Sequence, residues 1–164
     1  MKRAVNLAVV LAFGLAAMAA QGQGFGANRS TGTSDAVQYL FPEQVTVPAG
    51  KASPVTLHFR IAQGLHINSH TPSEDYLIPT VFSIPGDAGV KLQTASYPAG
   101  STLILPMDPK TKLNVYTGDF IIHARIVAAG GNHLVQAKLH YQACNQTQCM
   151  PPTTISAAID VIGK

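Results

Sequence analysis

The chain has 164 residues, with 11 Lys+Arg against 8 Asp+Glu and a formal charge of +3 at pH 7. Lys2 and Arg3 belong to the first segment, and without them the balance is 9 to 8, a charge of +1; nucleic-acid binding, which wants a concentrated basic patch, is disfavoured. Only 12% of residues are charged, which suits one small β-rich exported domain with a real core better than a helical bundle.

Residues 1–20 read as an export signal. After Lys2 and Arg3, Ala4 to Ala16 is apolar except for Asn6 and Gly14, and Ala17-Met18-Ala19 offers a small-residue cleavage site. The run is shorter than the roughly 20 apolar residues a membrane span needs. No cysteine follows it to carry a lipid, and no later stretch is apolar enough to cross, so the mature chain is expected not to insert in a membrane. Export places the chain where a disulfide persists. Residues 21–37 form an expected flexible leader, rich in Gly, Ser, Thr and Asn up to about Asp35; residues 38–164 form the domain.

From there the texture changes to strands. Gln44-Val45-Thr46-Val47 and Val55 to Ile61 alternate polar and apolar residues, the period of half-buried strands. Thr80 to Ile84, Val90 to Tyr97, Phe120 to Val127, Leu134 to Tyr141 and Thr154 to Ile162 follow. Val135, Ala137, Leu139 and Tyr141 share one face; Gln136, Lys138 and His140 share the other. A turn around Ser73-Glu74-Asp75 is expected to carry a short helical segment. Pro48-Ala49-Gly50, Pro85-Gly86-Asp87, Pro98-Ala99-Gly100 and Ala129-Gly130-Gly131-Asn132 punctuate the runs. Roughly seven to nine short strands with turns at this spacing, and no helical period, predict an all-β fold, a β-sandwich of the immunoglobulin-like kind.

The two cysteines are the most informative feature. They lie in Tyr141-Gln142-Ala143-Cys144-Asn145-Gln146-Thr147-Gln148-Cys149-Met150-Pro151-Pro152, at the expected tip of the hairpin between the strands ending at Tyr141 and starting near Thr154. Pro151 and Pro152 stiffen the exit. The even count fits one intramolecular pair. Closing so small a loop stabilises a fold by roughly 2 kcal/mol, against about 4.7 for a loop of about 100 residues. A pair placed this way is a poor staple. It suits thiol–disulfide exchange, which needs two sulfurs that open and close locally and a surface where a partner thiolate reaches one of them. An inert hairpin disulfide and a metal-binding pair are the alternatives. No Lys or Arg occurs from Leu139 to Pro152; Lys138 and His140 are the nearest cationic candidates in sequence.

Tyr-Gln-Ala-Cys-x4-Cys-x-Pro-Pro at 141–152, together with Gly64-Leu65-His66-Ile67-Asn68-Ser69, Asp75-Tyr76-Leu77-Ile78-Pro79-Thr80 and Leu-x-Val-Tyr-x-Gly at 113–118, resembles the N-terminal periplasmic domain of the thiol:disulfide interchange protein DsbD over about residues 38–162. The resemblance implies an immunoglobulin-like sandwich in the periplasm whose cysteine pair cycles between dithiol and disulfide. Electrons would pass from a thioredoxin-fold protein or domain to other exported proteins, without an organic cofactor. It implies Cys149 as the sulfur that forms the mixed disulfide, Cys144 as the resolving thiol, and a cap over them in Lys112 to Gly118. There Val115 and Tyr116 stand where the family can place a phenylalanine. Tyr141 and Tyr116 are candidates to pack beside the sulfurs, with ordinary sandwich packing as the alternative. His66 and Asn68, on one strand face by alternation, fall in a segment the resemblance places near the cysteines; strand-end surface positions are the alternative. The family's membrane domain and C-terminal thioredoxin-like domain have no counterpart in these residues, so a stand-alone domain is expected.

Other chemistries find less support. His66 and His70 with Cys144, Cys149 and Met150 suggest a soft copper(I) site, but a turn would have to bring the two histidines together, and no zinc spacing occurs. Gly22-Gln23-Gly24-Phe25-Gly26 lacks the strand and helix of a phosphate loop. There is no serine nucleophile elbow, and Glu74-Asp75 adjacency is not a catalytic geometry. The expected activity is that of a protein-disulfide reductase or thiol–disulfide interchange component, with no cofactor or metal assigned. A non-catalytic interaction module with a structural disulfide and a copper(I)-handling protein are the alternatives.

Overall fold

The computed structural model describes residues 36–41, 43–86 and 89–164; the expected export signal and most of the expected leader lie outside them. The strands are β1 (Val37–Leu40), β2 (Glu43–Val47), β3 (Ala52–Ile61), β4 (His66–Asn68), β5 (Val81–Ser83), β6 (Val90–Ser96), β7 (Ser101–Leu105), β8 (Asp108–Tyr116), β9 (Asp119–Ala128), β10 (Gly131–Tyr141), β11 (Ala143–Cys144) and β12 (Thr153–Gly163). They form three four-stranded sheets, in the orders β1-β3-β9-β6, β2-β12-β10-β5 and β11-β4-β8-β7. Every pairing is antiparallel except that of β2 with β12.

The first two sheets make an immunoglobulin-like sandwich, and the alternation in the sequence explains how. In β9, Phe120, Ile122, Ala124 and Ile126 are buried, while Asp119, His123 and Arg125 between them are exposed. β3 presents Val55, Leu57, Phe59 and Ile61 to the same core. From the second sheet come Val135, Ala137, Leu139 and Tyr141 of β10, with Ala157, Ile159 and Val161 of β12. The face of β10 expected from period two is the face that is buried. Each large side chain so enclosed stabilises the fold by about 1.5–3 kcal/mol relative to exposure. Phe59 stacks on Phe120 with centroids 5.2 Å apart, and Phe120 stacks on Tyr116 at 5.2 Å. This column of rings ties the sandwich core to β8 in the third sheet.

Three features depart from the sequence reading. Val37, placed at the end of the leader, opens β1 and is buried. No helix forms at Ser73-Glu74-Asp75; a turn closes there instead, with Leu77 N–H donating to Glu74 O at 3.2 Å. The β7–β8 hairpin is new. Its distal half is polar and proline-interrupted, with Asp108, Pro109 and Lys110 all exposed, so no period-two signal marks it.

Core replacement tests the sandwich. Ile122→Ala should cost about 2–5 kcal/mol through lost burial and an unfilled cavity. Ile121→Ala, on the outer face of the same strand, should cost less than about 1 kcal/mol. Urea unfolding of the oxidised protein measures both.

Candidate functional site

β10 and β12 remain paired until Tyr141 meets Thr153. Between them the chain carries both cysteines, but the connection does not project as a bare hairpin tip. Ala143 and Cys144 leave to pair with β4, Ala143 opposite Ile67 and Cys144 opposite His66. Cys144 and Cys149 form a disulfide, S–S 1.98 Å and Cα–Cα 3.9 Å, across an isolated antiparallel bridge.

The small loop it closes is held from within. Asn145 N–H donates to Gln148 O at 2.9 Å and Met150 N–H to Ala143 O at 2.8 Å. The Asn145 side-chain oxygen accepts from the backbone N–H of Thr147 and Gln148, at 2.8 and 2.9 Å, and from the Thr147 hydroxyl at 3.1 Å. This is the Asx arrangement, in which an asparagine side chain stands in for a turn's backbone acceptor. Gln142 Nε2 donates to Met150 O at 3.1 Å and braces the exit. Asn145 had a legible signal, an asparagine two residues before a threonine in a polar loop, which the sequence reading did not use.

Cross-strand register sorts the remaining candidates by face. Cys144 opposes His66, and two residues on Asn68 opposes Val115, so these four share the disulfide side of the third sheet. Ala143, Ile67 and Tyr116 lie on the other side and belong to the core. Tyr116 therefore does not cover the sulfurs. Its ring stacks on Phe120, its hydroxyl donates to Pro98 O at 3.2 Å, and it accepts from His70 N–H at 3.1 Å. Tyr141 is likewise an inward core residue of β10.

A cleft of about 170 Å³ opens beside the disulfide, and its wall includes His66, Asn68, Leu77, Leu105, Met107 and Leu113 with both cysteines. Two of the expected residues, His66 and Asn68, are thus gathered with the sulfurs. Val115 is on the correct face but outside the cleft wall; Leu113, one step along β8, takes that place. The β7–β8 hairpin contributes Leu105, Met107 and Leu113, of which only Leu113 lies in the segment expected as the cap. Met107 is 63% exposed and forms an outer lip. Leu105 and Met107 escaped the sequence reading because they sit at the turn between β7 and β8, where no alternation marks them.

β4 is short and polar, and a buried network holds it. Asn68 Nδ2 donates to Ile78 O at 3.0 Å, and the Thr80 hydroxyl donates to Asn68 O at 2.6 Å. His70 Nδ1 contacts Thr80 O at 2.9 Å, and its ring stacks on Tyr97 at 3.8 Å. His70 is therefore committed away from the cleft, and Met150 packs against the core. The copper set read from the sequence is not brought together.

Among the described residues, the cleft wall carries no Lys, Arg, Asp or Glu. Its one titratable group besides the sulfurs is His66, 5% exposed, and burial holds its pKa below the ordinary histidine value. In the unfolded chain the ring titrates near about 6.5, so on acidification the unfolded state takes up this proton first. The stability linked to His66 is complete above about pH 6.5 and declines as pH falls through that value toward the folded pKa. Asp119, held low by its hydrogen bond from Arg60, and Asp108, held low by that from Thr111, lose their contributions only at lower pH. Between about pH 7 and 5 the urea midpoint of the oxidised protein should fall, and His66→Gln should flatten that part of the curve.

Comparison with known proteins follows this geometry. The family model for the N-terminal region of the thiol:disulfide interchange protein DsbD matches residues 36–160. The DsbD N-terminal domain of Neisseria meningitidis in its reduced form is 20% identical, with 70% of this chain and 82% of that chain covered and a TM-score of 0.47. The secreted serine protease VesC of Vibrio cholerae is 10% identical, covering 79% of this chain and 23% of that one, at 0.38. A PapD-like domain of human CEP192 is 9% identical, covering 79% and 86%, at 0.34. No curated protein matches the sequence. All three TM-scores fall below one half, so the identification rests on the family match, which runs from β1 into β12 and includes both cysteines: the chain belongs to the family of the DsbD N-terminal domain.

Proposed function

We propose that this domain exchanges disulfides in the periplasm through Cys144 and Cys149, passing electrons between a thioredoxin-fold partner and other exported proteins. The observation that carries this reading is the unequal exposure of one disulfide. Cys149 is exposed at the end of its loop, whereas Cys144 is 3% exposed beneath it. On this reading Cys149 is the residue a nucleophile meets first.

The chemistry follows from that asymmetry. A partner thiolate attacks Cys149 Sγ; the Cys144–Cys149 bond breaks, and Cys144 departs with the electron pair as a thiolate, which then takes up a proton. The partner's second cysteine then attacks the partner sulfur of the mixed disulfide. The partner is left oxidised and both cysteines here reduced. Toward an oxidised acceptor the steps reverse: Cys149 attacks the acceptor's disulfide, and Cys144 closes on Cys149 to release the reduced acceptor. Asn145 keeps the four residues between the sulfurs in one turn, so closure needs little reorganisation. Leu105, Met107 and Leu113 act as the cap, excluding water from Cys144 and leaving Cys149 at the rim. His66 and Asn68 supply the polar floor, with Val115 beside them, and Tyr116 and Tyr141 support the sheet from its core side.

Trapping tests the reading. Cys144→Ser should accumulate a mixed disulfide with a thioredoxin-fold reductant, visible on non-reducing gels, and Cys149→Ser should give none. The wild-type couple should lie above about −300 mV in a glutathione series. A lower potential, with no trapped complex, would assign the pair to a structural clamp. Met107→Ala should open the lip and speed reduction by dithiothreitol several-fold; an unchanged rate would remove the β7–β8 hairpin from the role of cap.

A further inference from the structure

Thiol–disulfide exchange moves protons as well as electrons, because the attacking species is a thiolate and the resting one a thiol. Cys144 is enclosed among leucine side chains, and an apolar enclosure disfavours its thiolate. Something must therefore take its proton when it attacks and return one when it leaves. The loop offers no cation. Asn68 is fixed on Ile78 O by its amide, and the leucines and Met107 do not titrate.

His66 is the one remaining group. It faces Cys144 directly across β4 and β11, which places the two Cβ atoms about 5 Å apart. Its ring has no hydrogen-bond partner among the described residues, and desolvation alone moves its titration. A second cleft, about 530 Å³, is also lined by His66, with Arg60, Asp119 and Gln146. Arg60 and Asp119 are engaged with each other, at 2.7 and 2.8 Å. Apart from that pair and the sulfurs, no titratable group faces the imidazole in either cleft.

We propose that His66 is the proton carrier of the exchange, acting as base to Cys144 when it attacks and as acid when it leaves. This rests on the exchange reading above. In resolution, the Cys144 thiol proton moves to His66 and the thiolate attacks Cys149 Sγ. The bond from Cys149 to the partner sulfur breaks, and the departing partner thiolate takes the proton from the imidazolium. In the opposite direction the partner thiol gives its proton to His66, its thiolate attacks Cys149, and Cys144 leaves with the proton that His66 returns. Protons and electron pairs balance in both directions, and no external co-reactant is needed. A neutral resting imidazole, which burial enforces, is the form able to accept.

Two measurements that need no partner test this. In reduced Cys149→Ser protein, where Cys144 is the sole thiol, the rate of Cys144 alkylation by iodoacetamide at pH 7 reports delivery of its thiolate. Adding His66→Gln should slow that rate about tenfold or more, the loss of a general base. With His66 in place, the rate should fall on acidification in step with the His66 ring titration followed by NMR. An unchanged rate in the variant, or a rate indifferent to His66 protonation, would overturn the proposal. If the His66→Gln protein does not fold, the pH dependence with His66 in place decides. Because neither measurement uses a thioredoxin-fold protein, a negative result here is distinct from a failure of the trapping experiment.

Discussion

Two residues of backbone pairing organise the site. Had Ala143 and Cys144 stayed in the β10–β12 ribbon, both sulfurs would sit at an exposed tip with nothing beside them. By pairing with β4 they turn one sulfur inward against His66 and leave the other outside. Strand geometry allows no intermediate: successive side chains point to opposite faces, so a shift of one residue would turn Cys144 to the core side and Ala143 to the cleft. The register of a two-residue strand thus sets which cysteine is sheltered and which is left exposed.

That register depends on β4, which has little intrinsic reason to be a strand. His66-Ile67-Asn68 contributes one apolar side chain, Ile67, to the core. The segment persists because the buried Asn68 and Thr80 side chains donate to the Ile78 and Asn68 carbonyls, while the exposed His70 ring contacts Thr80 O. Buried polar groups are costly when unpaired and orienting when paired. The network orders the chain from 68 to 80 and presents β4 to β11 on one side and β8 on the other. The ring column of Tyr116, Phe120 and Phe59 fastens the same sheet to the sandwich. The site is therefore anchored to paired strands on both sides, while the turn of the β7–β8 hairpin at its rim is exposed.

A disulfide in an apolar cleft with one sulfur at the rim suits a shuttle rather than a staple. Its small loop contributes little to chain entropy, roughly 2 kcal/mol, so opening and closing it leaves most of the fold's stability untouched. The hydrophobic wall shields the inner sulfur from water. Family membership and geometry agree on the class of chemistry while resting on separate observations, a sequence match across residues 36–160 and the unequal burial of two bonded cysteines.

The sequence by itself determined the sandwich and the pair. Period-two alternation in β3, β9, β10 and β12 reports directly which side chains are buried, because a half-buried strand imposes that period on its residues. Two cysteines five apart before Pro151-Pro152 marked the disulfide loop. The surroundings of the sulfurs were legible only in part. His66 and Asn68 could be placed on one face by counting, but counting along β8 could not say whether Leu113, Val115 or Tyr116 would reach the sulfurs. Those positions depend on which strands pair, and pairing joins segments dozens of residues apart whose local patterns are weak. The β7–β8 hairpin, polar and interrupted by proline, became a wall of the cleft only because β8 pairs with β4 and β4 with β11. Tertiary pairing, not local preference, decided the environment of Cys144, for the physical reason that a strand's neighbours are set by backbone hydrogen bonds that carry no side-chain signature.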